Sequence, residues 1–100
     1  MDETEIIKRV IETGKVSLGA RSVEKLLKTG KPKLVVISNN CPRKTKEGVY
    51  QNANIGGVPV HEFDGTSMKL GEVCRKPFPI SAMAVISQGQ ADIAKLRSGK

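Results

Sequence analysis

The stretch Lys33-Leu-Val-Val-Ile-Ser-Asn-Asn-Cys-Pro42, KLVVISNNCP, decides how this chain is read. Leu34-Val-Val-Ile37 is an unbroken apolar run rich in β-branched residues, bounded by Pro32 before it and by Ser38-Asn39-Asn40 after it. A strand with one wet face alternates apolar and polar residues; an unbroken run is the mark of a strand buried on both faces. Such a strand needs helices above and below its sheet. Residues 38–42 read as a loop, and Pro42 fits the first turn of a following helix, where a missing N–H costs nothing.

Helical and strand patterns alternate outward from this centre. Upstream, residues 2–13 place Ile6, Ile7, Val10 and Ile11 on one helical face, with Asp2, Glu3 and Glu5 near the start and Gly14 at the stop. A short strand, Lys15 to Leu18, precedes a helix expected from Ser22, as N-cap, to Thr29, with Val23, Leu26 and Leu27 inward and Gly30 ending it. Downstream, a third helix carries Val49, Tyr50, Ala53 and Ile55 and closes at Gly56-Gly57. Val58 to Phe63 reads as a strand that Pro59 assigns to a sheet edge or a strand start. After an Asp64-Gly65 turn, Thr66 or Ser67 caps a short helix holding Met68, Leu70 and Val73. Arg75 to Pro79 is a loop, Ser81 to Ile86 a second buried strand, and Gly89 to Leu96 a final helix with Ile93 and Leu96 inward. The order α-β-α-β-α-β-α-β-α argues a three-layer α/β/α sandwich: one sheet with helices on both faces. At this length the whole chain, 1–100, is expected to form one domain.

The charge is unevenly spread. Residues 1–14 carry two basic and four acidic groups, residues 15–50 nine against two, and residues 51–100 six against four, within a net charge of +7. A concentrated basic third in a small domain points to a polyanion, nucleic acid above all; a solvated basic face is the bland alternative. The charged N-terminus does not read as a signal peptide, and no apolar run approaches the roughly 20 residues of a membrane span. A cytoplasmic protein without membrane contact is expected. Cys41 and Cys74 read as reduced thiols, and with His61 they are too few for a structural metal site.

Catalytic patterns are missing. No G-x-S-x-G, Gly-rich phosphate loop or carboxylate pair occurs. Cys41, before Pro42 at a helix start, has a position that could lower a thiol pKa, but His61 is the only imidazole and lies on another element. The chain is read as a non-enzyme with no cofactor.

Three strand–helix junctions stand out instead: Gly19-Ala-Arg-Ser22, Asn39 to Lys44, and Arg75 to Pro79. The first two follow strands and the third leads into one. If that last strand runs antiparallel to the others, all three loops meet at one edge of the sheet. At the first, free helix N–H groups and a glycine suit a phosphate, and Arg21 would join them. Otherwise Arg21 reaches into water or pairs with Glu24 one turn on. At the second, the Asn40 amide can read a base edge or cap its own helix, with Arg43, Lys44 and Lys46 beside it. At the third, Phe78 stands between two prolines after Arg75-Lys76, either stacking on an unpaired base or plugging the sheet edge. Tyr50 and Phe63, inside periodic segments, are expected in the core.

The ordered set GKVSLGARSV (14–23), KLVVISNNCP (33–42), GVPVHEFDGTS (57–67) and Leu70-Gly71 resembles the large-subunit ribosomal protein "thirty-e" family, within the kink-turn RNA-binding superfamily. The resemblance spans essentially the whole chain. It implies an α/β/α sandwich around a mixed four-stranded sheet, and binding of a kinked helix–internal loop–helix segment of ribosomal RNA without catalysis. It also implies neighbouring ribosomal proteins as partners of a protein that is monomeric when free. By position it implies RNA contacts from Gly19, Ala20, Arg21 and Ser22, from Lys25 on phosphate, from Asn40 on a base, from Arg43 and Lys46, and from Phe78 by stacking. Lys44, Arg75 and Lys76 join this set as basic neighbours. Other kink-turn binders usually carry Asn-Glu at the place of Arg21-Ser22; a basic residue there is like the thirty-e branch. The lack of an extended tail is like the archaeal members. The alternatives carried with this reading are a non-ribosomal kink-turn binder and a protein-interaction module with incidental charge.

Overall fold

Alternate side chains of the central strand enter two different cores. The computed structural model describes residues 3–87 and 89. Its elements are α1 (Glu3–Thr13), β1 (Lys15–Leu18), α2 (Ala20–Leu27), β2 (Leu34–Ile37), α3 (Arg43–Gly56), β3 (Val60–Glu62), α4 (Ser67–Val73) and β4 (Ala82–Ser87). Every side chain of β2 is buried. Leu34 and Val36 pack with Ile6, Ile7 and Val10 of α1 and Leu70 and Val73 of α4, together with Met83 and Val85 of β4. Val35 and Ile37 pack with Val23 and Leu27 of α2 and Val49 and Ala53 of α3, together with Ala82 and Ala84. The period of two along β2 and β4 thus divides their side chains between the layers. Small alanines on the α2 side of β4 leave room for that helix to lie close. The architecture is the expected α/β/α sandwich.

The sheet is four-stranded and mixed, in the order β1-β4-β2-β3. The last strand lies between the first two and is antiparallel to both, pairing Leu18 with Met83 and Ile37 with Ala82. β3 pairs parallel to β2 at the edge, as Pro59 suggested.

Several local expectations are corrected. Helix α2 begins two residues before Ser22 and ends at Leu27, with Gly19 as its N-cap and no side-chain cap. Gly19 takes φ 103°, a conformation that strains any other residue. Its N–H bonds Ala82 O and its carbonyl accepts from Val23 N, so the helix springs directly from the strand pair. Ser22 is left in the first turn with nothing to cap. Strand β3 is shorter than expected, because only Val60–Glu62 pair with β2. Ile55 and Met68, read from the sequence only as members of their helices, are 73% and 63% exposed. Phe63 is in the core, but Tyr50 is only half-buried, its hydroxyl donating to Glu62 Oε2 at 2.7 Å. Thr66 caps α4, accepting from Lys69 N. The expected final helix, with Ile93 and Leu96, lies outside the described residues.

Candidate nucleic-acid interface

Because β4 is antiparallel to β1 and β2, its entrance lies beside their exits. Backbone hydrogen bonds stitch this edge together: Gly19 N to Ala82 O, Ser38 N to Ser81 O, Asn39 N to Gly65 O, and Ile80 N to Ser67 O. The exits of β1 and β2 and the residues just before β4 therefore share one edge. A fourth segment, 63–67 after β3, joins them; sequence pattern does not reveal its role because it has the look of an ordinary turn.

At the first loop, the earliest helical bond of α2 is Val23 N to Gly19 O. The N–H groups of Ala20, Arg21 and Ser22 therefore have no acceptor inside the helix. No acidic residue stands in this first turn to offset the helix dipole. Arg21 is exposed and, among the described residues, makes no ion pair. The Glu24 alternative is not taken: its carboxylate lies against α3, where a Cβ added at Gly48 would stand 2.7 Å from Glu24 Oε1. Lys25 is also exposed and lies one turn after Arg21 on the same face. Helix α2 thus offers three N–H groups with no acceptor inside the helix, beside the exposed cations Arg21 and Lys25, an arrangement suited to phosphate.

At the second loop, Asn40 caps a neighbour rather than its own helix. Its Oδ1 accepts from Ser67 N at 2.8 Å, at the start of α4, and from Ser38 Oγ at 3.1 Å. Both oxygen lone pairs are used, and the amide NH2 remains as a donor. Ser38 itself is buried. Helix α3 begins after Pro42 with no side-chain cap. On α3, Arg43 pairs with Glu47 at 3.0 Å, and Lys46 pairs with Glu62 of β3 at 3.0 Å. Exposed pairs of this kind are worth only about 0–1 kcal/mol, so both cations remain available to a stronger anion. Lys44 is exposed without an ion pair among the described residues.

The third loop divides. Arg75, at φ 62°, sends its guanidinium to Glu12 of α1. Since α1 leads into the opposite end of β1, this side chain is not brought to the shared edge. Lys76 is exposed and its N–H bonds Gly71 O. Phe78 is 51% exposed, which rules out the core plug. Its carbonyl lies so close to Gly71 that a Cβ there would collide with it. This contact gives the glycine of Leu70-Gly71 its structural reason.

Burial disfavours the thiolate form of both cysteines. Burial raises the pKa of Cys41, offset in part by Lys46, and burial pushes Cys74 up to about 11. Both cysteines are free and buried. Among the described residues no cluster of three potential ligands could hold a metal, and no helix is long and apolar enough to cross a membrane.

The chain matches, over residues 2–95, the family described as Ribosomal protein L7Ae/L30e/S12e/Gadd45. Its relatives include proteins named large ribosomal subunit protein eL30. That of Methanopyrus kandleri is 45% identical over 87 residues, covering 87% of this chain and 80% of the relative. That of Pyrobaculum calidifontis is 45% identical over 86 residues, covering 86% and 85%. That of Methanocaldococcus jannaschii is 40% identical over 96 residues, covering 96% and 87%.

Proposed function

The chain belongs to the ribosomal protein L7Ae/L30e/S12e/Gadd45 family, and on that premise we propose that it is a structural, non-catalytic RNA-binding protein of the large ribosomal subunit. It acts in the cytoplasm, on the ribosome, beside ribosomal RNA and neighbouring ribosomal proteins. Its ligand is a kinked helix–internal loop–helix RNA, gripped along the shared edge of the sheet. The observation that carries this reading is the meeting, at that edge, of an uncapped helix start bearing Arg21, a braced Asn40 amide and an exposed Phe78.

Each part has a distinct role. The Gly19–Ser22 turn and Lys25 hold a phosphate through N–H groups and charge. Asn40, its oxygen committed to Ser38 and Ser67, offers hydrogen-bond donors to the acceptor atoms of an exposed base edge. Arg43, Lys44, Lys46 and Lys76 supply salt-sensitive attraction to the backbone. Phe78 stacks on a base that a continuous duplex would keep hidden. Arg75 contributes long-range charge, with its guanidinium held by Glu12. Because these contacts need an open base and a bent backbone at once, a regular duplex satisfies only the phosphate part.

A gel-shift titration at two salt concentrations tests the proposal, comparing a kinked internal-loop RNA with a fully paired duplex of equal length. Preference for the kinked RNA that survives the higher salt is expected. Equal binding to both, erased by salt, would mean that the charge holds phosphate without regard to shape, and the proposal would fail.

A further inference from the structure

Met68 is an apolar side chain left 63% exposed on the first turn of α4, beside the candidate interface. Its position follows from three contacts of its neighbours. Ser67 N donates to Asn40 Oδ1, so the residue just before Met68 carries the Asn40 anchor. Ser67 O accepts from Ile80 N, and Gly71 lies against the carbonyl of Phe78. The segment Phe78–Ile80 therefore runs antiparallel along the helix from Gly71 back to Ser67. Residues 68 and 71 are three apart and share a helical face. Met68 thus lies on the face that this segment follows, between the Asn40 anchor and exposed Phe78.

We infer that Met68 and Phe78 form a paired apolar rest for one unstacked nucleobase of the bound RNA, next to the donor amide of Asn40. The inference rests on the proposed RNA-binding reading and adds to it a base-contacting residue. Methionine is well suited to such a rest, being flexible, with a polarisable thioether that packs well against a π-face. The surroundings favour a nucleic acid over an apolar protein surface. Lys69 and Lys76 are exposed next to the pair in the chain, with the carboxylates of Glu72 one turn on and of Asp64 in the turn before the helix, and Asn40 supplies a hydrogen-bond donor at its border. A base extruded from a phosphate backbone uses all three; an apolar protein patch would leave the cations and the amide unmatched.

The test uses the full chain and a kinked internal-loop RNA. Each unpaired nucleotide is replaced in turn by an abasic site, and a paired duplex serves as control. Met68 is exposed, so Met68→Ala is expected to fold, which a thermal melt checks. Met68→Ala should weaken binding of the intact RNA about three- to tenfold. Met68→Leu should keep most of the affinity. At one abasic position wild type and Met68→Ala should bind alike. Equal binding of the intact RNA by wild type and Met68→Ala would overturn the inference and leave the pair to a protein neighbour, while the RNA-binding reading stands. A loss of the same size on every abasic RNA would also overturn it, since no base would then be involved. If wild type itself does not prefer the kinked RNA to the duplex, the function proposed above falls first.

Discussion

The side-chain oxygen of Asn40 accepts the backbone N–H of Ser67 at 2.8 Å, joining the loop after β2 to the start of a helix 27 residues further along the chain. One amide therefore does two things. Its oxygen braces the edge of the sheet, and its NH2 group is left as a donor on an exposed residue. This bond separates fold from recognition in a way that substitution can test. Asn40→Asp keeps the oxygen acceptor, and a carboxylate at the start of α4 is favourable to the helix dipole. We expect its melting temperature to match or exceed that of wild type. Its affinity for kinked RNA should fall by about 1–3 kcal/mol, since the donor is gone. An Asn40→Asp protein that binds as wild type does would remove Asn40 from the site.

Arg21 gives a prediction with opposite signs. A cation at a helix N-terminus costs about 0.3–1 kcal/mol, and here no acidic neighbour relieves it. Arg21→Ala should therefore raise stability slightly in a denaturant titration while weakening RNA binding. Loss of both would mean that Arg21 has an intramolecular partner on which the fold depends.

Lys44 tests the backbone contacts. Arg43 and Lys46 each have a carboxylate partner within the protein, whereas Lys44 has no ion pair among the described residues. Lys44→Ala should lower the slope of log affinity against log salt by about 0.7–0.9, the value of one phosphate contact. The preference for kinked over paired RNA should not change. An unaltered slope would place Lys44 away from the RNA.

Gly71 tests the seat of the third loop. A methyl group there would collide with Phe78 O, so Gly71→Ala must push the loop outward. Overpacking of this sort costs about 1–3 kcal/mol, or roughly 4–8 °C of melting temperature per kcal/mol in a domain of this size. RNA binding should weaken beyond the effect of Phe78→Ala, because the whole segment moves. A Gly71→Ala protein with unchanged melting temperature would contradict the packing described.

Alkaline pH probes the core. Burial pushes Cys74 from an ordinary value of 9.0 to about 11 in the folded state. Between these values the unfolded chain has released a proton that the folded one keeps, so stability is present in full below pH 9.0 and declines as pH rises toward 11. Tyr50, pushed up to about 12 by burial and by its bond to Glu62, adds a decline above its ordinary value of 10.0. Cys74→Ala lowers stability at neutral pH by leaving a cavity, and should flatten the first part of the alkaline decline. An unchanged pH profile in that variant would mean that the thiol is as accessible to water folded as unfolded.

The sequence by itself determined the layers. The apolar run Leu34–Ile37 demanded cover on both faces, and the helical period of Ile6, Ile7, Val10, Val23 and Leu27 supplied it. Burial follows from local periodicity, which is written residue by residue. It also marked the three loops, because glycine, proline, asparagine and clustered charge interrupt such periods. Only the tertiary structure decided which loops meet. A strand has the same period of two in either direction, so nothing inside residues 82–87 shows that β4 runs antiparallel to its neighbours. Nor does local pattern say whether Asn40 caps its own helix or one 27 residues away. Arg75 and Glu12 find each other across 63 residues, which draws from the site a cation that sequence alone had assigned to it. The exposure of Met68 was not legible for a related reason. In a helix of seven residues the apolar period completes barely two turns, and the exposed face is set by what packs on it. Directions, partners and exposed faces are long-range properties, fixed when the chain closes on itself.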